Sequence, residues 1–169
     1  MKRKRLDEII RVDHAGEHGA IAIYKGQLSA LNLIGDKRTS FIISEMAEGE
    51  KVHAKEFDRL VKERKTRPTA LMPLWNLAGY TLGVMSVIGG KDSVMACTEA
   101  VEEIIDKHYS DQIEELESSG QEKDILKTIK KFHAEEVEHE KIEKNEISEN
   151  TPALNEFKKL VGIGCKKAI

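Results

Sequence analysis

The 169-residue chain is long enough for one domain with a sizeable core, and residues 1–169 are predicted to form a single domain. Charged residues make up 34% of the sequence and aromatic residues 5%, a composition that favours long helices over a β-sandwich. The net charge of −3 gives no reason to expect a nucleic-acid partner. Two cysteines, Cys97 and Cys165, are too few for a disulfide framework and fit a reducing compartment.

The chain starts with a basic run, Met1–Arg5, as a secretory signal peptide does. Charged residues interrupt the stretch Leu6–Arg11, where a signal peptide would have its apolar core. We therefore expect a bacterial-type protein that stays on the cytoplasmic side, with neither a signal nor a transit peptide.

Apolar residues recur at steps of three and four from about Leu6 to Leu33, which predicts a first long helix. Glu17 lies in the middle of its apolar stripe. After a Gly-Asp turn, the same periodicity predicts a second helix that ends near Lys62. Glu50 and His53 interrupt the core face of that helix in the same way.

The segment 71–90 carries no charge over twenty residues and follows a basic connector, residues 62–68. Three interpretations remain open at this point. It is a buried crossover helix between two halves of a bundle, a helix lying in the membrane interface, or a transmembrane span. Its length reaches the threshold of about 20 residues for a span, but its glycines and Pro73 make a span the least favoured.

A third long helix is predicted to start from an N-cap at residues 91–93 and to run to about Leu116. Glu99, Glu102 and Glu103 compete for its core face. Glu102 shares the apolar stripe, whereas Glu103 aligns with a charged, solvated face.

A turn at 118–120 precedes the fourth long helix, in which Glu136 and His139 extend the apolar stripe. Glu138 falls on the polar face of the same helix. The pair Thr151–Pro152 predicts the start of a short final helix, with Pro at the first helical position.

The inward acidic residues repeat at nearly the same interval. Glu17 precedes Glu50 by 33 residues, and Glu102 precedes Glu136 by 34 residues. Glu50 and Glu136 each begin a Glu-x-x-His motif, whose two side chains share a helix face. The sequence therefore predicts an all-α four-helix bundle made of two similar hairpins, with these candidate ligands on the core faces: Glu17, Glu50, His53, Glu102, Glu136 and His139.

Any one of these glutamates, taken alone, is most simply a solvated helix residue, and a lone core histidine is most simply structural. Four carboxylates buried together are different, because they would protonate or open the bundle without compensating charge. Two divalent cations with two neutral imidazoles provide that compensation. This is the ligand set of dimetal carboxylate sites in helix bundles, and its oxygen-rich composition favours iron or manganese.

Three of the other four histidines are not predicted to be ligands: His14, His18 and His133. Tyr109 lies seven residues after Glu102 on the same stripe, so it is predicted to be close to the site or simply packed in the core. Asp13 and Asp106 each lie four residues from an inward glutamate and are candidates for orienting the ligand imidazoles, or for surface roles.

Four blocks of the sequence resemble the demethoxyubiquinone hydroxylases of ubiquinone biosynthesis: Arg11–Glu17, Arg67–Asn76, Ala96–Glu103 and Glu135–His139. The resemblance extends from about Arg5 to the end of the chain. It implies a ferritin-like fold in which the six candidate ligands bind two iron ions (Fe²⁺), with His108 and Tyr109 close to the site.

The same resemblance implies hydroxylation of the ring of demethoxyubiquinol with O₂, NADH as a possible electron donor, and a polyprenyl quinone substrate. It implies peripheral binding to the cytoplasmic side of the cell membrane, and it allows a homo-oligomer and a lipid-presenting accessory protein. Two departures stand out. His18 occupies a position where the family more often has Tyr, and the chain stops at Ile169, where relatives usually continue.

Two other classes of function remain open. A ferritin-like iron-storage or peroxide-scavenging protein would use the same ligands, but storage requires a large hollow assembly. A non-enzymatic lipid-binding or structural bundle would gain nothing from inward carboxylates.

Overall fold

The computed structural model describes residues 1–147 and 151–168, without the side chains of 140, 142–144, 167 and 168. The chain end at Ile169 lies outside these residues. The described residues contain helices and no strand, which confirms the predicted all-α class. The helices are α1 (Arg3–Ile34), α2 (Lys37–Arg64), α3 (Met72–Ser86), α4 (Gly90–Ser119), α5 (Lys123–Glu146) and α6 (Pro152–Ala168).

Short turns fold α1 onto α2 and α4 onto α5, as predicted. Gly35 ends α1 in the left-handed conformation (φ 79°), which a residue with a side chain rarely adopts. Asp36 then caps α2 by accepting a hydrogen bond from the backbone N–H of Thr39 at 3.0 Å. Gly120 ends α4 in the same left-handed way. These turns set the two hairpins that carry the candidate site.

The start of α4 differs from the prediction. The N-cap expected at residues 91–93 is wrong, because α4 begins at Gly90 after Gly89, with no side-chain cap. A 3-10 turn over Val87–Gly89 follows α3 directly, and Gly90 has a φ of 78°. The chain therefore passes from α3 to α4 through a glycine pair instead of a polar cap.

The two hairpins meet where α1 lies against α4. Large apolar side chains fill the space between them and are almost fully buried. Phe57 is at the centre of an aromatic group in which its ring lies 6.3 Å from Tyr109 and 5.8 Å from Phe132. Helix α6 packs on the outside of α4, where Lys158 pairs with the buried carboxylate of Glu99 at 2.7 Å.

Helix α3 crosses the outside of α1 at very close range. A Cβ atom added at Gly83 would overlap the backbone carbonyl of Ile23, and one added at Gly26 would overlap that of Tyr80. At Gly79 an added Cβ would lie 3.1 Å from the carbonyl oxygen of Gly19. The glycines therefore let two helix backbones touch, which no larger residue allows.

The opposite face of α3 is open. Its exposed large side chains are apolar and uncharged: Leu74, Leu77, Tyr80 and Met85 on the helix, with Leu71 and Ile88 at its two ends. The interpretation of a fully buried crossover helix is therefore wrong for this face. No helix in the described part of the chain has the length and hydropathy needed to span a bilayer.

Replacing Gly83 with Ala should destabilise the protein, because the added Cβ must push α3 away from α1. We expect a loss of about 1–3 kcal/mol, typical of overpacking, and a fall in Tm of about 2–4 °C per kcal/mol. Gly164→Ala in α6 is the control, since a Cβ there meets nothing within 4 Å. Thermal unfolding of both variants measures the difference. An unchanged Tm for Gly83→Ala would contradict the close crossing.

Candidate metal centre

The six candidate ligands converge in the middle of the bundle. Glu17 comes from α1, Glu50 and His53 from α2, Glu102 from α4, and Glu136 and His139 from α5. The first five are buried almost completely, and the side chain of His139 retains 17% exposure. In contrast, the neighbouring Glu138 is 69% exposed and pairs with Lys141. The apolar stripe of α5 therefore separates the inward glutamate, Glu136, from the outward one, Glu138.

Their ligand atoms form two overlapping groups, each within 4.8 Å and each able to hold a metal ion. One group comprises Glu17, Glu50, His53 and Glu136. The other comprises Glu50, Glu102, Glu136 and His139. Glu50 and Glu136 belong to both groups. Two metal ions held by these groups would therefore share the carboxylates of Glu50 and Glu136, and each group adds one further Glu and one His.

Both imidazoles point their Nδ1 atoms into the centre. Nδ1 of His53 lies 2.9 Å from Oε1 of Glu136 and 3.6 Å from Oε2 of Glu17. Nδ1 of His139 lies 3.4 Å from Oε1 of Glu50 and 3.9 Å from Oε2 of Glu136. In a tetrahedral or octahedral site with bonds of about 2.1 Å, ligand atoms are about 3.0–3.4 Å apart. The observed separations are already close to that range.

The hydrogen bonding of the centre supports the fit of a metal. Eight buried atoms of the six residues have no hydrogen-bond partner among the described residues, although buried polar atoms are nearly always paired. The close approach of His53 to Glu136 is one such case and lacks hydrogen-bond geometry. The atoms are Glu17 Oε2, both carboxylate oxygens of Glu50 and of Glu136, Glu102 Oε2, His53 Nδ1 and His139 Nδ1. All belong to groups that ligate metals.

The electrostatics of the carboxylates lead to the same conclusion. Burial, and then the charge of Glu50, raises the pKa of Glu17 well above its usual range. Burial, and then the charge of Glu102, raises the pKa of Glu136 well above its usual range. Burial also acts to raise the pKa of Glu50, but the nearby imidazoles, first that of His139, lower it to about 2. The four carboxylates therefore cannot all carry charge in this core without cations beside them.

Two tyrosines tie the hairpins together at the centre. Tyr24 of α1 donates a hydrogen bond to Glu102 of α4, and Tyr109 of α4 donates one to Glu17 of α1. Each tyrosine lies seven residues after the lone glutamate of its own helix. Tyr24 was missed by the sequence analysis, although this spacing, already noted for Tyr109, would have identified it.

The carboxylate that orients His53 is not one of the two aspartates predicted from the sequence. Nε2 of His53 lies 2.8 Å from the carboxylate of Glu135, and its ring stacks on Phe132 at 4.0 Å. Asp13 instead accepts a hydrogen bond from Gln112 at 2.7 Å, and Asp106 pairs with His133 at 2.9 Å. The orienting role suggested for the two aspartates is therefore wrong. Glu135 holds His53 by its outer nitrogen, which leaves Nδ1 free for the centre.

His108 does not reach the centre directly. It is half-buried at a small cavity of about 10 Å³ between α1 and α4, next to Asp13, Gly16, Glu17 and Tyr109. Burial lowers the pKa of its imidazole, so it is neutral near pH 7. The neutral imidazole of His108 therefore lines the same small cavity as Glu17 and Tyr109.

Two further histidines, His14 and His18, lie outside the six-residue centre. Nε2 of His14 and Nε2 of His18 lie 3.0 and 3.1 Å from the same carboxylate oxygen of Asp58. Burial lowers the pKa of His14. Together these three residues form another group able to hold a metal ion.

A family model and several relatives of known name match nearly the whole chain. Residues 4–169 match the family model described as ubiquinone biosynthesis protein COQ7. A mitochondrial protein of Dictyostelium discoideum, named NADPH-dependent 3-demethoxyubiquinone 3-hydroxylase, is 44% identical over the whole chain and 77% of its own length. The human protein of the same name is also 44% identical, over the whole chain and 77% of its length.

A bacterial relative comes from Rhodospirillum rubrum and is named 3-demethoxyubiquinol 3-hydroxylase. It is 41% identical over 97% of this chain and 76% of its own length. These matches and the family model together cover all four helices of the bundle. The chain belongs to the ubiquinone biosynthesis protein COQ7 family.

Proposed function

We propose that the protein is a di-iron monooxygenase that hydroxylates the ring of demethoxyubiquinol with O₂ in ubiquinone biosynthesis. The observation that carries this proposal is the pair of ligand groups sharing Glu50 and Glu136 in a family whose relatives are named demethoxyubiquinone hydroxylases. Two electrons and two protons balance the reaction, since one oxygen atom enters a ring C–H bond and the other leaves as water.

Six residues would hold the two iron ions. Four carboxylates balance the charge of two Fe²⁺ ions, and mixed carboxylate and imidazole ligation is typical of di-iron sites in helix bundles. The iron, when bound, supplies the O₂ chemistry. The protein fixes the positions of the ligands: Tyr24 and Tyr109 hold the lone glutamates, and Glu135 holds His53. The closed core around them excludes bulk water from the reaction.

The electron source is proposed to be a reduced nicotinamide nucleotide. NADH was the expectation from the resemblance, whereas the names of the human and Dictyostelium relatives specify NADPH. Comparing the two nucleotides in an anaerobic reduction assay distinguishes them.

We further propose that α3 brings the protein to the membrane in which a polyprenyl tail lies. Its outer face is apolar and uncharged, and the basic connector before it contributes exposed cations such as Lys65 and Arg67. Its inner face contacts α1 at Gly19 and Ile23, the same stretch of α1 that carries Glu17 and Tyr24. A lipid-binding surface on α3 would therefore lie next to α1, the helix that carries Glu17. The same face is open to a second copy of the chain or to a lipid-presenting protein.

The bridging role of Glu136 is testable by metal content. We expect Glu136→Gln to lower iron from about two ions per chain to one or fewer, because it removes a carboxylate shared by both ions. Turnover should fall at least about a hundredfold, more than the loss of an outer partner costs. Glu138→Gln, on the exposed face of the same helix, is the matched control and should keep two ions. Metal analysis after anaerobic Fe²⁺ loading measures both.

Quinone profiling of cells that lack the gene then separates this function from iron storage. Wild type and Glu138→Gln should relieve an accumulation of demethoxyubiquinone, and Glu136→Gln should not. Normal ubiquinone without the gene, together with a cage-sized particle in gel filtration, would instead support storage or peroxide scavenging.

Tyr24 is predicted to position Glu102 without binding iron itself. Tyr24→Phe removes the donated hydrogen bond and should weaken binding of one of the two ions by about 10- to 100-fold, as for other residues that hold a ligand. Of the three tyrosines, the exposed Tyr80 supplies the control, Tyr80→Phe, which should bind both ions normally. Competitive chelator titration gives the two affinities separately. A change in Tm alone, with both affinities intact, would show a purely structural role.

Membrane binding through α3 is tested with a single charge. Leu74→Lys should weaken binding to neutral phospholipid vesicles at least about tenfold, since burial of a Leu side chain contributes about 1.5–3 kcal/mol and neutral lipid does not attract the added charge. Val52→Lys on α2 is the control, with 56% exposure against 54% for Leu74. Vesicle co-sedimentation measures both. Equal partition of the two variants would contradict the role of α3.

A further inference from the structure

The group formed by His14, His18 and Asp58 is separate from the dimetal centre. None of these residues belongs to either of the two overlapping ligand groups. His14 and His18 lie one turn apart on α1, and Asp58 faces them from α2. The side chain of His14 is mostly covered, whereas those of His18 and Asp58 are 30% and 44% exposed. An ion in solution can therefore reach this group without passing through the core.

Its geometry is that of a partly assembled cation site. The two Nε2 atoms lie 3.0 and 3.1 Å from one carboxylate oxygen, and all three ligand atoms lie within 4.8 Å of one another. Ligand atoms around a tetrahedral Zn²⁺ with bonds of about 2.0–2.1 Å are about 3.3 Å apart. The two nitrogen–oxygen separations are only about 0.2–0.3 Å shorter than that value.

The ligand types specify the class of metal. Two histidines at positions i and i+4 on one helix face are the pair by which the His-Glu-x-x-His motif binds zinc. Three protein ligands with a water molecule in the fourth position are typical of accessible zinc sites. Imidazole nitrogen also favours Zn²⁺ and its neighbours over Mg²⁺ or Ca²⁺, which prefer oxygen.

We propose that His14, His18 and Asp58 form a mononuclear site for a divalent transition metal of the zinc class, distinct from the dimetal centre. The site links α1 to α2 from outside the core. An ion bound there fastens the two helices that carry Glu17, Glu50 and His53, so its occupancy stabilises the first hairpin.

Metal analysis of the full-length, iron-loaded protein tests this proposal. After equilibration with Zn²⁺ alone and removal of free metal, we expect one zinc per chain in addition to an unchanged iron content. Zinc should also raise the Tm. His18→Gln should lower zinc affinity at least about tenfold, because a lost ligand costs more than a lost outer partner. Glutamine retains a hydrogen-bond donor for Asp58, so the variant separates metal binding from hydrogen bonding.

A matched control and a second variant complete the experiment. His133→Gln changes a histidine of nearly equal exposure, 29%, that pairs with the single carboxylate of Asp106. It should bind zinc as wild type does. Asp58→Asn should lose zinc as His18→Gln does. Zinc that displaces iron, zinc unaffected by His18→Gln, or no bound zinc would each overturn the proposal. Iron content is counted in the same samples, so failure here is distinguishable from failure of the di-iron assignment.

Discussion

The structure depends on the burial of four carboxylates in one small volume. Each isolated carboxylate moved into a protein interior costs several kcal/mol, and like charges nearby increase that cost. Among the described residues, the centre offers two imidazoles and two tyrosine hydroxyls against Glu17, Glu50, Glu102 and Glu136. Two divalent cations, as proposed for this centre, would neutralise the charge and also pair the oxygens that have no hydrogen-bond partner. Binding of cations at this centre would therefore also stabilise the folded bundle.

The two hairpins contribute equal sets of side chains to the centre, and each ligand group needs residues from both hairpins. Each supplies one lone glutamate, one bridging glutamate and one histidine, so neither hairpin alone can build either ligand group. The tyrosines cross between them, since Tyr24 bonds to Glu102 and Tyr109 bonds to Glu17. A displacement of α1 relative to α4 would disturb both glutamates together. The interface between the hairpins therefore controls the geometry of both ligand groups.

Helical periodicity was sufficient to predict much of this centre. It selected Glu102 over Glu103 and Glu136 over Glu138, because a stripe repeating every 3.6 residues separates inward from outward positions. The partner of His53 could not be predicted in this way. Glu135 occupies an edge of α5, and its contact depends on how α2 and α5 pack, which no pattern within one helix encodes. The same applies to Asp58 of α2, whose carboxylate contacts two histidines, His14 and His18, on the neighbouring helix α1.

The segment 71–90 shows why composition alone left three interpretations open. A charge-free sequence indicates contact with apolar surroundings but does not say which face makes it. The glycines decide the inner face, because Gly26 and Gly83 allow backbone contact between α1 and α3. With that contact made, the leucines of the other face have no protein to cover them in the described chain. An uncovered apolar face of this kind is typical of surfaces that bind lipid or another protein, and this exposure is the basis of the membrane-binding proposal for α3.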